Sequence, residues 1–567
     1  MQNNQKEQEL LNEIEKLKKQ IKTVKKNKRY GLIWEDKKEI FEKQSEISLP
    51  VLSEKKKDNY NDVISDINDS MNILIEGDNY HSLSVLSYTH KEKIDVIYID
   101  PPYNTGNKDF IYNDVFVDKE DRFRHSKWLS FMNKRLKLAK ELLNNNGVIF
   151  ISIGDDELYQ LKILCDEIFG EQNFLANVVR KQKETSNKGR FFSPSTDYIL
   201  CYAKNIDLLE EFNDAEAQES SEYIKLFKYS DDRGKYNLVS LYMPSLDKRP
   251  NQRYFIECPD GTKVTTPFEN KMFRWIPSTF KSKLEENRVV FLKTKTSPLI
   301  DESGKRSIWN VYTKIYLHER QEAGMKPLTF IDMPNSMGSK ELIKLDIDFP
   351  FSKPKELIKH LISITNKNNN ITVLDFFAGS GTTGQAVLEL NNEDNGNRKF
   401  ILCTNNGDEK SEHKICEDIC YLRIKKVIEG YKNKKGKTIK ALKGNLKYLK
   451  TDFINLDKIT DDLRKKMVNR STEILCLKED CFSVVKNGKM IKIYQNKDIY
   501  LAILFDLFMF DEFKKDLLKL EHKKIKMYIF SPSKINFKQE LEHLNLNLEL
   551  EDIPDPILET YKKIFNF

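Results

Sequence analysis

Cysteine and long apolar runs are both scarce in this chain. Its 567 residues include 8 cysteines, and no two of them form a CxxC pair. This argues against a disulfide framework or a zinc ribbon. No apolar run approaches the ~18 residues needed to span a bilayer, and polar residues rather than a signal-peptide core follow Met1. We therefore expect a soluble, cytoplasmic protein with no membrane partner.

The composition supplies ample material for several cores. Hydrophobic residues make up 39% of the sequence, with 24 Tyr and 33 Phe, and the length predicts about two to four domains. The net charge of +7 comes from 94 basic and 87 acidic residues. This balance permits a nucleic-acid partner without requiring one. Eight basic residues and no acidic one between Lys16 and Arg29 fit such a partner, or a solvated face.

Residues 1–60 are predicted to form a helical segment. Apolar residues follow one another in steps of four and three, as in a coiled coil: Leu10, Ile14, Leu17, Ile21 and Val24. Only about two heptads are present, fewer than a firm coiled-coil prediction needs. The segment can therefore serve dimerisation or pack on the rest of the chain.

A strand–helix alternation begins near residue 72. KIDVIYID is a continuous apolar run, as in a strand buried on both faces of a parallel sheet. GVIFISI and DYILCYAKN are further strands. Helix spacing links Trp128, Met132, Arg135, Ala139 and Leu142, and NNNG ends that helix. The alternation predicts an α/β fold with a doubly wound parallel sheet.

Residues 206–345 interrupt this rhythm with irregular spacing and turn residues. RYFIECPDGTKVT is typical of a β-hairpin that turns at PDG, so we expect an inserted mixed or β domain. The α/β pattern resumes over 346–430. Residues 431–567, rich in Lys, Leu and Ile, are predicted to be mainly helical with a few strands, and they contain no interpretable motif.

The stretch IYIDPPYNTG, residues 97–106, places an acid, two prolines and a tyrosine where a strand leaves its sheet. Two consecutive prolines fix φ and remove two N–H donors. The motif can be an ordinary turn, or it can hold a bound group in one pose.

A second motif, DFFAGSGTTG, ends a strand and opens a helix, with Gly379, Gly381 and Gly384 in GxGxxG spacing. The lysine of a phosphate loop is missing. A dinucleotide site would need an acid at the end of the next strand, where CTNNGD stands. An S-adenosylmethionine site remains, with Asp375 placed to face the ammonium. Both motifs lie at carboxyl ends of strands, so they can share one crevice.

His413, Cys416 and Cys420 fall at helical spacing and are three potential metal ligands. Buried thiols on a helix face are the commoner arrangement, and no fourth ligand stands nearby. We predict no metal site.

The chain resembles the β-class amino-methyltransferases of DNA, in which DPPY precedes the glycine turn, and within that class the modification subunit of type III restriction-modification systems. The stretches that carry the resemblance span most of residues 29–406: RYGLIWE, EGDNYHSL, YIDPPYNTG, GVIFISIGDDE, FSPSTDYILCYAKN, FPFSKPKELI and DFFAGSGTT. The resemblance implies a Rossmann-like sheet with a catalytic half at 61–205 and a cofactor half at 346–430.

It also implies adenine-N6 methylation of double-stranded DNA with S-adenosylmethionine and no metal. The Asp100 carboxylate and the Pro101 carbonyl would accept hydrogen bonds from the target amine. Pro102 would fix that carbonyl, since the residue before a proline is restricted, and Tyr103 would stack on the flipped base. Cytosine N4 offers the same amine geometry and stays open, as do an inactive DNA-binding scaffold and a nicotinamide enzyme.

Further residues take their expected roles from the same resemblance. The cofactor-binding residues would be Asp78, Lys353, Asp375, Phe377, Gly379, Gly381 and Thr382, with Lys353 near the cofactor carboxylate. The family usually has an acid after the asparagines of CTNNGD, whereas Gly407 intervenes here. Residues 206–345 would recognise the target through Arg249, Arg253, Arg274, Lys305 and Arg306. A homodimer, a separate restriction subunit and a place at the bacterial nucleoid are implied, with residues 431–567 as a possible subunit contact.

Overall fold

The structure is a computed structural model. It describes residues 32–37, 39, 47–54, 62–64, 70–107, 109–112, 115–184, 191–244, 249–268, 271–350, 352–365, 368–407, 413–455, 461–521, 523–530, 537, 541, 543–544 and 546–565. The predicted amino-terminal seam lies outside them. The chain divides into a larger unit, formed by residues up to 210, 328–362 and from 367 onward, and a smaller unit of 211–327 and 363–366.

Ten strands form the main sheet of the larger unit. In chain order they are β1 (Ser48–Glu54), β2 (Met71–Glu76), β3 (Ile94–Ile99), β4 (Leu143–Ile153), β5 (Phe174–Lys181), β6 (Thr196–Ala203), β7 (Phe330–Asp332), β8 (Thr372–Asp375), β9 (Lys399–Thr404) and β10 (Asn445–Asn455). Their spatial order is β1-β10-β2-β9-β8-β3-β4-β6-β5-β7. The six strands from β10 to β4 are parallel, and β1 and β6 run antiparallel to their neighbours.

Helices cover both faces of this sheet. They are α1 (Asn79–Thr89), α2 (Arg124–Leu142), α3 (Leu158–Phe169), α4 (Asn335–Leu345), α5 (Lys355–Ser363), α6 (Thr382–Asp394) and α7 (Leu422–Glu429). On β9, Ile401 and Cys403 join the core that contains α1, α2 and α3, whereas Phe400 and Leu402 approach Gly384 of α6. The predicted doubly wound α/β sheet is confirmed.

The sequence pattern identified six strands of the sheet and missed β1, β5, β7 and β10. β5, FLANVVRK, is only partly buried and ends in two basic residues, so it lacks the continuous apolar run of a central strand. The predicted helix over Trp128–Leu142 is confirmed as α2, which ends where β4 begins.

The smaller unit contains three short sheets. Their strands are Val289–Lys293, Trp309–Tyr316, Gly234–Ser240 and Tyr229–Asp231; Ile256–Glu257, Lys263–Thr265 and Ile300–Asp301; and Tyr242–Pro244 with Lys271–Phe273. Its helices are Ala215–Glu219, Ser221–Ile224, Pro277–Glu285 and Leu317–Ala323. The predicted hairpin at PDG is confirmed, since Ile256 pairs antiparallel with Val264. Residues 328–345 belong to the larger unit.

The prediction of a mainly helical carboxyl-terminal segment is wrong. A five-stranded sheet is formed by Ser483–Asn487, Ile491–Gln495, Ile499–Leu504, Lys524–Phe530 and Leu548–Ile553, beside the helices Asp461–Asn469, Thr472–Glu479, Phe510–Leu517 and Asp555–Phe565. β10, which also falls in this segment, joins the main sheet. Lysine alternates with buried apolar residues in IKIYQ and KIKMYIF, a period-2 pattern that the overall Lys and Leu content concealed.

The larger unit also contains the 3₁₀-helices Glu171–Asn173, Ile206–Leu208 and Leu507–Met509, and several small elements. The small elements are two hairpins, Ile111–Tyr112 with Val115–Phe116 and Tyr431–Lys432 with Thr438–Ile439, and one turn of π-helix at Ile415–Tyr421. Within the described ranges, none of the helices combines the length and apolar character that a membrane crossing requires.

Candidate active site

The glycine turn connects β8 to α6. Gly379 has φ +48° and Gly381 has φ +77°, values that favour glycine over residues with a Cβ. A Cβ on Gly379 would lie 3.8 Å from Phe349 Cζ and 3.8 Å from the Phe377 carbonyl oxygen, which is ordinary van der Waals contact. A Cβ on Gly384 would lie 2.6 Å from Ile424 Cδ1. The first two glycines therefore shape the turn, and the third lets α6 pack closely against α7.

Asp375 ends β8 and is almost fully buried. Its Oδ1 accepts a hydrogen bond from the Phe377 N–H at 3.0 Å, and its Oδ2 accepts one from the Thr383 hydroxyl at 2.5 Å. Burial raises the pKa of the Asp375 carboxyl from 3.8 to about 7. The carboxyl is thus poised to change its protonation state near neutral pH.

The other two residues predicted on this turn have different surroundings. Phe377 is half-buried, and its ring lies 5.8 Å from that of Phe131. Thr382 is buried, and its hydroxyl accepts a hydrogen bond from Arg423 Nη1 at 2.8 Å. Arg423 also donates to Ser380 Oγ at 3.0 Å. The Thr382 side chain therefore braces the base of the turn.

The DPPY loop leaves the sheet beside the glycine turn. β3 is the parallel neighbour of β8, so Asp100, which follows β3, and Asp375, the last residue of β8, lie at the same edge of the sheet. Trp128 Nε1 donates to the Pro102 carbonyl at 2.7 Å. Within the described ranges, no protein donor lies at hydrogen-bond distance from the Pro101 carbonyl. Of the two proline carbonyls, the fold uses one and leaves the other available.

Lys353 connects the two halves of the site. Its ammonium donates to both Asp100 oxygens, at 2.6 and 2.7 Å, and to the Tyr103 hydroxyl oxygen at 2.9 Å. The side chain is 8% exposed. The structure therefore places Lys353 against the DPPY loop, and its expected contact with a cofactor carboxylate stays a prediction.

Sequence reasoning missed the buried pair Arg180 and Asp197. Arg180 on β5 and Asp197 on β6 are cross-strand partners, and the guanidinium contacts both carboxylate oxygens. The Tyr103 hydroxyl lies 3.3 Å from Asp197 Oδ2. The available signal was an acid at the start of an apolar strand, STDYILCYA, with a basic residue in the adjacent strand.

Asp78 marks the start of α1 at the same edge. Its carboxylate accepts the Tyr80 N–H at 2.8 Å and lies 3.4 Å from the buried Arg135 Nη2. Arg135 Nε donates to Asn79 Oδ1, and Asn79 Nδ2 donates to the Phe376 carbonyl at 2.9 Å. Asp78 keeps 36% of its side chain exposed. This chain of contacts couples the start of α1 to the glycine turn.

The loop after β9 carries the residues at which a ribose contact was expected. Asn406 is engaged within the protein, because its Nδ2 donates to Glu76 and Glu417 at 3.0 and 2.9 Å. Asp408, the acid that follows Gly407, lies outside the described residues.

The five predicted DNA-binding residues are all exposed in the smaller unit. Gln252 Nε2 donates to the Arg274 carbonyl at 3.1 Å, which places the turn between Arg249 and Arg253 beside Arg274. Lys305 and Arg306 lie on a separate tight turn, where the Lys305 N–H donates to Asp301 Oδ1 at 3.0 Å.

Cys416 and Cys420 are buried on the π-helical turn. Cys420 Sγ would lie 3.0 Å from a Cβ on Gly381, so this thiol packs behind the glycine turn. In the described part of the chain, no group of three metal-ligating side chains was found.

Comparison with known proteins shows the family to which the chain belongs. The sequence model of the DNA methylase family matches residues 94–415, more than half of the chain. The chain is 31% identical over 416 residues to the type II methyltransferase M.KpnI of Klebsiella pneumoniae, covering 67% of this chain and 93% of that protein. The chain belongs to the DNA methylase family.

Two other relatives are modification subunits of type III restriction-modification enzymes. The chain is 33% identical over 398 residues to the StyLTI Mod subunit of Salmonella typhimurium, covering 65% of this chain and 56% of that protein. It is 32% identical over 461 residues to the EcoPI Mod subunit of Escherichia phage P1. This match covers 71% of this chain and 67% of that protein. The match with the StyLTI subunit thus spans little more than half of that protein's length.

Proposed function

We propose that this protein transfers a methyl group from S-adenosylmethionine to N6 of adenine in double-stranded DNA, as the modification subunit of a type III restriction-modification system. The observation that carries the proposal is the placement of Asp100 and the Gly379 turn at the ends of the adjacent parallel strands β3 and β8. Ligands of open α/β sheets bind at such strand ends.

The DPPY loop supplies what an exocyclic amine needs. The amine lone pair is delocalised into the ring, and two hydrogen-bond acceptors on its two N–H groups favour a tetrahedral, nucleophilic nitrogen. Asp100 offers a carboxylate, and the Pro101 carbonyl has no protein donor among the described residues. The sulfonium cofactor supplies an electrophilic methyl group. Positioning and electrostatics then account for most of the acceleration.

Tyr103 is the expected stacking partner of the extruded base. Taking a base out of the duplex costs a few kcal/mol, and stacking on an aromatic ring returns about 1–3 kcal/mol. The Tyr103 ring is half-buried, and the contacts of its hydroxyl hold it in one orientation. A ring fixed in this way loses little conformational freedom on binding.

The residues around the glycine turn fit the cofactor. Gly379 has no side chain to cover its backbone, and the first N–H groups of α6, which begins at Thr382, have no acceptor within the helix. Asp78, Asp375, Phe377 and Lys353 would hold its polar and adenine parts. The role of Thr382 would be indirect, through the shape of the turn, because its hydroxyl is bound to Arg423.

The smaller unit is the proposed target-recognition region, within the 206–345 segment. Its exposed Arg249, Arg253, Arg274, Lys305 and Arg306 suit contacts with phosphates and base edges. The names of two relatives as Mod subunits support a separate restriction subunit as partner. We further propose that the protein is a homodimer and that residues 1–60 or 431–567 make the contacts between subunits. The reaction would need no metal and would take place at the nucleoid.

Labelled methyl transfer tests the function directly. Purified protein is incubated with unmethylated bacterial DNA and S-[methyl-³H]adenosylmethionine, and the digested nucleosides are separated. We expect label in N6-methyladenine with wild type and a loss of at least about a hundredfold with Asp100→Ala. Label in N4-methylcytosine would correct the target base. No transfer at all by a folded, cofactor-binding wild type would refute the proposal and favour a DNA-binding scaffold.

A further inference from the structure

We infer that Asp197 and Arg180 are positioning residues, which orient the Tyr103 ring as a wall of the base pocket. The inference rests on the proposed function and adds two residues to it. Neither residue would touch the base, the cofactor or the reacting atoms; both would act through Tyr103.

The ion pair leaves acceptor sites on the Asp197 carboxylate unused. Arg180 is 0% exposed and Asp197 is 1% exposed. The guanidinium donates to both carboxylate oxygens, and its other donors reach the Met333 carbonyl at 2.8 Å and Asn335 Oδ1 at 2.9 Å. The carboxylate has more lone pairs than the guanidinium uses. The lone pair that remains at Oδ2 meets the Tyr103 hydroxyl at 3.3 Å. The Lys353 ammonium lies 3.9 Å from the same oxygen, an ion-pair distance that is too long for a hydrogen bond.

The neighbouring lysine fixes the direction of the hydroxyl proton. An ammonium group can only donate, so the Tyr103 oxygen accepts from Lys353 at 2.9 Å. The Tyr103 O–H must then donate to Asp197. Burial raises the pKa of Tyr103 well above 10, so the proton stays on the phenol. The hydroxyl is thereby held from two sides.

The edge of the Tyr103 ring packs against Gly154. A Cβ on Gly154, just after β4, would lie 2.8 Å from Tyr103 Cδ2. Any other residue at 154 would push the ring away, so glycine provides the space in which the ring lies. Hydroxyl and ring edge together define one orientation.

If the Arg180–Asp197 pair served only to stabilise the fold, its removal would change stability and not the rate of methyl transfer. A buried ion pair often contributes little net stability, because the desolvation of both charges offsets their attraction. What this pair does provide is a fixed acceptor for a third group, and that group belongs to the DPPY motif. Misplacement of a catalytic group by about 1 Å can cost a hundredfold in rate.

The test is a double-mutant cycle between Asp197→Asn and Tyr103→Phe. Phenylalanine keeps the ring and removes the hydroxyl through which Asp197 would act. We measure kcat and KM for methyl transfer, the dissociation constant of the cofactor product S-adenosylhomocysteine, and the fluorescence of 2-aminopurine at the target position. Asp332→Asn is the matched control, since it removes the exposed partner of Lys181, the residue next to Arg180.

We expect each single variant to lower kcat about tenfold to a hundredfold and to change the 2-aminopurine signal, with product affinity unchanged. The double variant should be no slower than the slower single variant. Losses that multiply in the double variant would overturn the inference, because Asp197 would then act independently of the hydroxyl. An Asp197→Asn variant with wild-type kcat would overturn it as well.

Arg180→Lys keeps the buried charge balanced if Asp197→Asn does not fold. It should slow the reaction in the wild-type background and leave the Tyr103→Phe enzyme unaffected. Equal losses in both backgrounds would contradict the inference. Wild-type protein that transfers no methyl group would instead refute the proposed function, so the two failures are distinguishable.

Discussion

The ammonium of Lys353 lies 2.6 and 2.7 Å from the two carboxylate oxygens of Asp100. The two residues are 253 positions apart in the sequence and come from the two halves of the α/β unit. The same ammonium touches the Tyr103 hydroxyl. One lysine thus orients both side chains on which the proposed chemistry depends, and it comes from the segment that leads into α5.

Replacing this lysine separates two roles. Lys353→Met should lower kcat about a hundredfold, because Asp100 and Tyr103 lose their shared donor. If Lys353 also binds the cofactor carboxylate, the dissociation constant of S-adenosylmethionine should rise in the same variant. Calorimetry and single-turnover methyl transfer measure the two effects. Lys359→Met on α5 is the control, and an unchanged kcat for Lys353→Met would contradict the assigned contact.

Alanine substitutions at Gly384 and Gly379 should affect stability and cofactor affinity differently. Gly384→Ala places a methyl group 2.6 Å from Ile424 Cδ1, so we expect the free energy of unfolding to fall by about 1–3 kcal/mol. Gly379→Ala meets no heavy atom nearer than 3.8 Å. Its φ of +48° strains an alanine by about 1–2 kcal/mol, so this variant should be destabilised as well, and it alone should also weaken cofactor binding. Denaturant unfolding and calorimetry distinguish the two. Equal effects of both changes on cofactor affinity would show that the turn is not the binding surface.

Asp375 predicts a pH dependence with a definite sign. The pKa of Asp375 is about 7 in the folded protein and 3.8 in the unfolded chain. Between about pH 4 and pH 7 the folded protein therefore keeps a proton on this carboxyl that the unfolded chain has released. The stability from this group is present below about pH 4 and is lost as the pH rises through 7.

Cofactor binding should depend on pH in the opposite sense. An ionised Asp375 suits the cofactor ammonium, so affinity should increase from pH 6 to 8, by at most about tenfold per unit below the pKa. Calorimetry at pH 6.5 in buffers of different ionisation enthalpy should show proton release, which Asp375→Asn abolishes. Binding without proton release would show that Asp375 does not bind the cofactor ammonium. Its role would then be limited to its hydrogen bonds with Thr383 and Phe377.

The basic residues of the smaller unit predict a salt effect. Arg253→Ala and Arg274→Ala should each weaken binding to duplex DNA and reduce the slope of log K against log salt by about one. Lys489→Ala, which removes an exposed charge in the larger unit, serves as control. Fluorescence anisotropy at several salt concentrations gives the slopes. A slope that Arg253→Ala and Arg274→Ala leave unchanged would remove these residues from the proposed interface.

Sequence reasoning reached the parts of the site that local pattern encodes. The apolar runs before DPPY and before the glycine turn identify β3 and β8, and their parallel direction brings Asp100 and Gly379 to one edge. The contacts of Lys353 with Asp100, and of Asp197 with Tyr103, join residues far apart in the chain. No periodicity or motif spacing reports such contacts; they follow from strand order, which the sequence alone leaves open.

Comparing wild type with the isosteric variant Asp100→Asn tests whether the Asp100 carboxylate activates the target amine. Both are assayed for N6-methyladenine formation in bacterial DNA and for binding of S-adenosylhomocysteine. Asparagine keeps the shape but presents an amide donor where the target amine needs an acceptor. We expect wild type to form N6-methyladenine, and the variant to bind the cofactor product normally while forming N6-methyladenine at least about a hundredfold more slowly. A variant that methylates adenine at the wild-type rate would contradict the account.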